Sequence, residues 1–179
     1  MLQDIKEILF SEEVINAKIK ELAGRISDDY KGKDLLVVGV LKGSVIFAAE
    51  LIKNITIPCE IDFMAVSSYG TSSETTGIVR ILKDLDHEVS GKDIIIVEDI
   101  VDSGVTLNYL LNYLKSRRAN SVEIVSLLTK PSRRKVDIDC KYIGFESPDE
   151  FIVGYGLDYA EKYRNLPFIG ILKREVYEK

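Results

Sequence analysis

Three short apolar runs constrain the fold most strongly: LLVVGVL (35–41), DIIIV (93–97) and SVEIVSLLT (121–129). Two of them are apolar at nearly every position, the mark of strands buried on both faces in a parallel sheet covered by helices. Amphipathic segments separate them. Ser11 is placed to cap a helix with Glu12 and Glu13 in its first turn, where negative charge is favoured. Val14, Ile15, Ile19, Leu22, Ala23 and Ile26 then recur at helical spacing, and Gly32 ends the segment. Residues 43–54, GSVIFAAELIKN, read as the helix after the first run. Asn108 to Arg118 read as another, with Leu107, Leu110, Leu111 and Leu114 on one face and Tyr109 and Tyr113 taken as packing residues. After Pro58, CEIDFMAVS (59–67) alternates like a strand, and CKYIGFE (140–146) and FIVGYG (151–156) are shorter ones. Strands alternating with helices specify an α/β fold whose ligands bind beyond the C-terminal strand ends.

An apolar fraction of 46% over 179 residues suffices for one core, so a single domain over 1–179 is expected. With 24 basic against 29 acidic residues the formal charge is −5, which excludes a general nucleic-acid coat. No stretch reaches the ~20 apolar residues of a membrane span. The opening MLQDIKEILFSEE has no basic region followed by a long apolar run, so a soluble, cytoplasmic protein is expected. Cys59 and Cys140 lie in apolar, strand-like surroundings without metal-ligand spacing, and the expectation is buried free thiols. His87, the only histidine, sits in a charged turn-like segment and reads as a surface residue. Any proton transfer therefore falls to a carboxylate.

Chemistry concentrates at the end of the second run. After Ile94–Val97, the carboxylates Glu98, Asp99 and Asp102 appear within five positions, and Ser103-Gly104-Val105-Thr106 leads straight into a helix. Backbone N–H groups at a helix start, with the Ser103 and Thr106 hydroxyls, make an anion site for phosphate. Glu98 and Asp99 would repel a bare phosphate. They make sense if they bind sugar hydroxyls, or a magnesium ion that a phosphorylated ligand also holds. A sugar phosphate bound with a divalent metal follows. Two other readings compete: Asp102 as a plain helix N-cap beside a solvated acidic strand end, and a receiver-type phosphoacceptor site.

Val97 to Thr106, VEDIVDSGVT, resembles the phosphoribosyl-pyrophosphate (PRPP) motif of the type I phosphoribosyltransferases. Four further segments resemble the hypoxanthine-guanine branch, in the same order along the chain: Leu41-Lys42-Gly43, Ser68-Tyr69-Gly70, Leu128-Thr129-Lys130 and Phe151 to Tyr159. The resemblance implies a single-domain type I fold, with a central, mostly parallel sheet flanked by helices, a small hood and a mobile active-site loop at about 68–80. It implies that residues 103–106 hold the 5′-phosphate, that Glu98 and Asp99 set the ribose hydroxyls and magnesium, and that Asp102 exchanges a proton with purine N7. Lys42 and Gly43, in a loop whose cis peptide turns backbone N–H groups toward the leaving group, and Arg164 would bind diphosphate. Lys130 would donate to the purine 6-oxo group, Phe151 would stack on the base and Ile152 backbone groups would read its edge. Asp158 would be a second magnesium ligand beside the base. Ser68 and Tyr69 would stand at the foot of the closing loop.

Taken bare, Lys130 reads as a solvated strand-end residue, Phe151 as core, and Arg133-Arg134-Lys135 as a solvated turn. Gly156 stands where some members of the family carry Ala, with the ligand spacing intact. The expected activity is magnesium-dependent transfer of 5-phosphoribosyl from PRPP to N9 of hypoxanthine or guanine, by a homodimer or homotetramer without nucleic-acid or membrane partners. A PRPP-sensing nucleic-acid-binding regulator on the same fold is the runner-up, and a phosphoribosyltransferase for xanthine the remaining alternative.

Overall fold

The computed structural model describes residues 1–69 and 78–178. Its elements in chain order are β1 (Ile5–Phe10), α1 (Glu12–Asp29), β2 (Leu35–Leu41), α2 (Val45–Asn54), β3 (Glu60–Tyr69) and β4 (Ile78–Lys83), then β5 (Asp93–Val101), α3 (Val105–Ser116), β6 (Ser121–Thr129), β7 (Tyr142–Glu146), β8 (Ile152–Val153), β9 (Ile169–Leu172) and α4 (Arg174–Tyr177). Six strands form one sheet in the order β4-β3-β2-β5-β6-β7. All neighbours are parallel except β3 and β4. This is the α/β architecture expected.

The apolar runs are continuous because each strand buries both faces. Val37, Ile95, Val97 and Val125 point to the side covered by α1 and α2, where Ile19, Leu22, Phe47 and Leu51 meet them. Leu36, Val38, Ile94 and Ile96 point to the side covered by Leu107, Leu110 and Leu114 of α3. The Ser11 cap forms, its hydroxyl accepting from the Val14 N–H at 3.4 Å. Val14 itself is about half exposed, so the buried stripe of α1 begins at Ile15; Tyr113 packs against the α3-side core, and Tyr109, though exposed on its outer side, stacks its ring on Tyr113 at 6.3 Å. Both cysteines are free but only half-buried, because each flanks a core cluster rather than lying inside it. His87 is exposed, as expected.

A second, small sheet, β1-β9-β8, is antiparallel and makes up the hood, and its Ile152, Ile169 and Ile171 join the core on the α1–α2 side of the main sheet. The loop expected at about 68–80 falls mostly on residues 70–77, outside the described residues. Its ends are paired strand, with Ser68 opposite Val79 and Tyr69 opposite Ile78.

The chain leaves β2 for β3 on one side and leaves β5 for β6 on the other. β2 and β5 are adjacent, so their C-terminal ends flank the switch point, where open α/β sheets bind ligands.

Candidate active site

β5 runs apolar and buried to Val97, then carries Glu98 and Asp99 to the mouth of the sheet. Both residues keep some exposure, yet the Oε2 atom of Glu98 is out of water and has no hydrogen-bond partner. Burial, with the neighbouring Asp99 charge, pushes the Glu98 carboxyl well above the usual range. Burial likewise raises Asp99, to about 6, against the Ile100 N–H (2.7 Å from Oδ1) and the Arg164 charge, which favour the carboxylate. A carboxylate oxygen out of water without a partner is costly, so Glu98, with the Asp99 charge beside it, is suited to receive a cation.

The turn after β5 is built on glycine. Gly104 is the N-cap of α3 at φ +82, a conformation that favours a residue without a β-carbon, and no side chain caps the helix. Asp102 is therefore not the cap, which removes its purely structural reading; it is exposed at the strand end. The Ser103 hydroxyl accepts from the Val105 N–H at 3.4 Å. Part of the Arg133–Lys135 turn is a brace rather than a solvated tract. Arg134 donates to the Asp102 carbonyl (3.2 Å) and to the Thr129 hydroxyl (2.9 Å), while Lys135 and Val136 N–H groups donate to the Ser103 carbonyl. Arg133 alone keeps an exposed pair, with Asp149.

Across the cleft, the Leu41–Lys42 peptide is cis. Gly43 lies so close to Asp99 that a β-carbon there would sit 1.8 Å from Oδ2. Arg164 donates to the Gly156 carbonyl at 2.8 Å and pairs with Asp158 at 2.9 Å, and its Nε is buried without a partner. Glu161, which the sequence reading passed over, bridges Lys42 (3.0 Å) and Arg164 (3.4 Å). The only hint in the sequence was its position three residues before an arginine.

A cleft of about 330 Å³ is lined at once by Gly43, Glu98, Asp99, Asp102, Ser103, Gly104, Thr106, Asp158 and Arg164. Lys130, Phe151 and Ile152 do not line it; Lys130 is tied to the residue before Asp102 by its N–H, which donates to the Val101 carbonyl at 2.9 Å, and to the residue before Phe151 by its side chain. Lys130 is buried, not solvated: its ammonium donates to the Glu150 carbonyl at 2.9 Å. Burial first, then Arg133, holds that ammonium below the usual lysine range, while Asp102, Asp149 and Glu150 oppose the shift. Phe151 is exposed rather than core, with Tyr177 stacked on it at 4.9 Å and Tyr159 edge-on at 5.4 Å. The Leu172 N–H donates to the Phe151 carbonyl, so in the antiparallel ladder the intervening Ile152 turns its own N–H and C=O away from β9, toward the sheet edge.

Among the described residues, no three His, Cys, Asp or Glu side chains converge as a complete metal cage. Magnesium does not require one, since it takes one or two carboxylates and completes its shell with water and phosphate oxygens. Glu98, with its orphaned buried oxygen, and Asp99 fit such a partial set.

Residues 7–160 match the phosphoribosyl transferase domain family. The chain is 55% identical, over 178 residues and 99% of both chains, to the hypoxanthine-guanine phosphoribosyltransferase of Bacillus subtilis. It superposes on a crystal structure of the hypoxanthine phosphoribosyltransferase of Staphylococcus aureus with a TM-score of 0.98 and 54% identity, covering 100% of this chain and 97% of that one. A Bacillus anthracis hypoxanthine-guanine phosphoribosyltransferase, solved with a HEPES molecule in its active site, gives a TM-score of 0.91 and 51% identity, covering 94% of this chain and 99% of that one. The switch-point cleft, the acidic strand end and the full-length likeness agree: this chain belongs to the phosphoribosyl transferase family, among the hypoxanthine-guanine phosphoribosyltransferases.

Proposed function

We propose that the protein, acting over 1–179 as one unit, transfers 5-phosphoribosyl from PRPP to N9 of hypoxanthine or guanine, releasing diphosphate. One observation carries the reading: a phosphate-ready turn, a pair of cation-seeking carboxyls and the Gly43–Arg164 wall line the same cleft. Ser103, Gly104, Val105 and Thr106 hold the 5′-phosphate through backbone N–H groups and hydroxyls. Glu98 and Asp99 orient the ribose hydroxyls. With Asp158 they are the residues to hold Mg2+, which when bound neutralises charge on PRPP's diphosphate. Lys42, Gly43 and Arg164 receive the departing diphosphate. Lys130 offers a donor to the 6-oxo group, Phe151 stacks on the ring, and the outward backbone of Ile152 reads its edge. Adenine presents an amino donor where Lys130 needs an acceptor, so it is rejected. Asp102 moves a proton at N7.

Ser68 and Tyr69 end β3, whose Val66 reaches the cleft wall. The protein is proposed to work in the cytoplasm as a homodimer or homotetramer; among the described residues no helix is long and apolar enough to cross a membrane. The deciding experiment assays hypoxanthine, guanine, xanthine and adenine with PRPP, with and without excess EDTA. Turnover of the first two alone, lost with EDTA and weakened in Lys130→Ala, is expected. Absence of nucleotide from either 6-oxopurine refutes the reading, and unchanged guanine kinetics in Lys130→Ala refutes the base assignment.

A further inference from the structure

Arg134 does not line the cleft, yet three segments of the frame around it meet at its guanidinium. Each nitrogen reaches a different one. Nε donates to the Asp102 carbonyl at 3.2 Å, Nη2 to the Thr129 hydroxyl at 2.9 Å and Nη1 to the Ile138 carbonyl at 3.4 Å. The ladder between β5 and β6 runs out with Val101 opposite Thr129, so Asp102 and Lys130 are the first residues past its last rung. Two contacts carry the order of the sheet one step further. The Lys130 N–H donates to the Val101 carbonyl at 2.9 Å, and Arg134 joins Thr129 to Asp102. The Asp102 carboxylate is close enough to Lys130 for its charge to favour the ammonium.

A 6-oxopurine presents O6 and N7 side by side on one edge. With Lys130 assigned to O6 and Asp102 to N7, the spacing of the two residues must match that of two adjacent purine atoms. We propose that Arg134 is a positioning residue that sets this spacing, holding Asp102 within proton-transfer reach of N7 while Lys130 holds O6. The proposal rests on those two assignments. Arginine suits the task because its planar fork aims donors in fixed directions and so bridges two acceptors at a fixed separation. Lysine offers one compact ammonium on a flexible stem. The phosphate turn has support of its own: the Lys135 and Val136 N–H groups donate to the Ser103 carbonyl at 2.9 and 3.2 Å, bonds that do not use the Arg134 side chain. Arg134 therefore acts on proton transfer and not on PRPP binding.

The test is single-turnover and steady-state kinetics of the full chain with PRPP and hypoxanthine, on Arg134→Lys alone and combined with Asp102→Ala. Thr129→Val, which removes the hydroxyl at the other end of the bridge and keeps the side-chain volume, is the second probe. Arg134→Lys should slow the single turnover about ten- to hundredfold, the cost of misplacing a reacting group by about 1 Å. The KM for PRPP should stay within about twofold. Thr129→Val should slow the reaction less, because Arg134 keeps its bond to the Asp102 carbonyl. In the Asp102→Ala background, Arg134→Lys should cost less than about twofold, since the group it positions is gone. Equal slowing in both backgrounds overturns the proposal, and so does a raised KM for PRPP with the single-turnover rate intact. If Arg134→Lys does not fold, Thr129→Val with Asp102→Ala closes the same cycle. If Asp102→Ala alone leaves the rate intact, the N7 assignment itself fails. If Asp102→Ala slows the reaction and Arg134→Lys does not, the assignment stands and the positioning role falls.

Discussion

Gly156 rests against the carbonyl of Gly43: a β-carbon built at 156 would lie 2.0 Å from that oxygen. Gly156 also sits at φ +101, accepts from Arg164 Nη1 at 2.8 Å and donates its N–H to the Arg164 carbonyl. The loop carrying Lys42 is thus gripped between Asp99 on one flank and the turn that aims Arg164 on the other. Motif spacing treats Gly and Ala at 156 as equivalent, but the backbone does not. Gly156→Ala should displace the loop and strain the turn by about 1–2 kcal/mol, enough to raise the KM for PRPP about tenfold. Hypoxanthine KM should hold, and the melting temperature should fall by a few degrees. Kinetics beside a thermal melt checks both; an unaltered KM for PRPP means the loop steps aside freely.

Asp102 can be judged apart from the helix it precedes, because Gly104 and not Asp102 caps α3. Asp102→Ala should therefore cut turnover by about 10²–10⁴-fold, the usual worth of a positioned proton-transfer group. PRPP binding by calorimetry should survive, and so should the melting temperature. A drop in stability of about 1 kcal/mol, as for a lost cap, with turnover intact, would return Asp102 to a structural role.

The sheet and the acidic cleft floor were legible because each is written in consecutive residues. An unbroken apolar run implies two covered faces, and Glu98, Asp99 and Asp102 stand next to their strand. What escaped reading depends on partners far away in the chain. Lys130 is buried only because the Glu150 carbonyl receives its ammonium. Arg134 looks like one of three solvated cations until the fold sets it against Thr129 and Asp102. Glu161 acquires meaning only when Lys42, 119 residues earlier in the chain, arrives beside it. The glycine at 104 outcompetes Asp102 as cap because the chain must turn through a positive φ there, which spacing does not announce.

Cys140 gives a pH-dependent test of packing remote from the cleft. Its thiol is close to the Tyr142 and Ile124 carbonyls, and burial pushes its pKa up to about 11. Only the thiolate reacts with alkylating agents, so at pH 8 about one thiol in a thousand is reactive. Iodoacetamide labelling followed by mass spectrometry should find Cys140 nearly inert at pH 8. Its rate should climb about tenfold per pH unit through pH 10. Fast labelling at pH 8 would show that the edge of the α3-side core opens to solvent.

The aromatic slot owes its shape to the C-terminal helix. Phe151 is 37% exposed, with the Tyr177 ring stacked on it at 29° and Tyr159 meeting it at 88°. A ring that must present one face to a purine is better held if its other face is backed, and Tyr177 is the backing. An aromatic pair of this kind is worth about 0.5–1.5 kcal/mol, so Tyr177→Ala should raise the KM for hypoxanthine about two- to tenfold. Tyr177→Phe keeps the ring and should restore it, since the stacking does not use the hydroxyl. The KM for PRPP should not change in either variant, because Tyr177 is remote from Lys42 and Arg164 in the contacts it makes. A lower KM for hypoxanthine in Tyr177→Ala would mean instead that Tyr177 lies on the face the base needs and must be displaced to admit it.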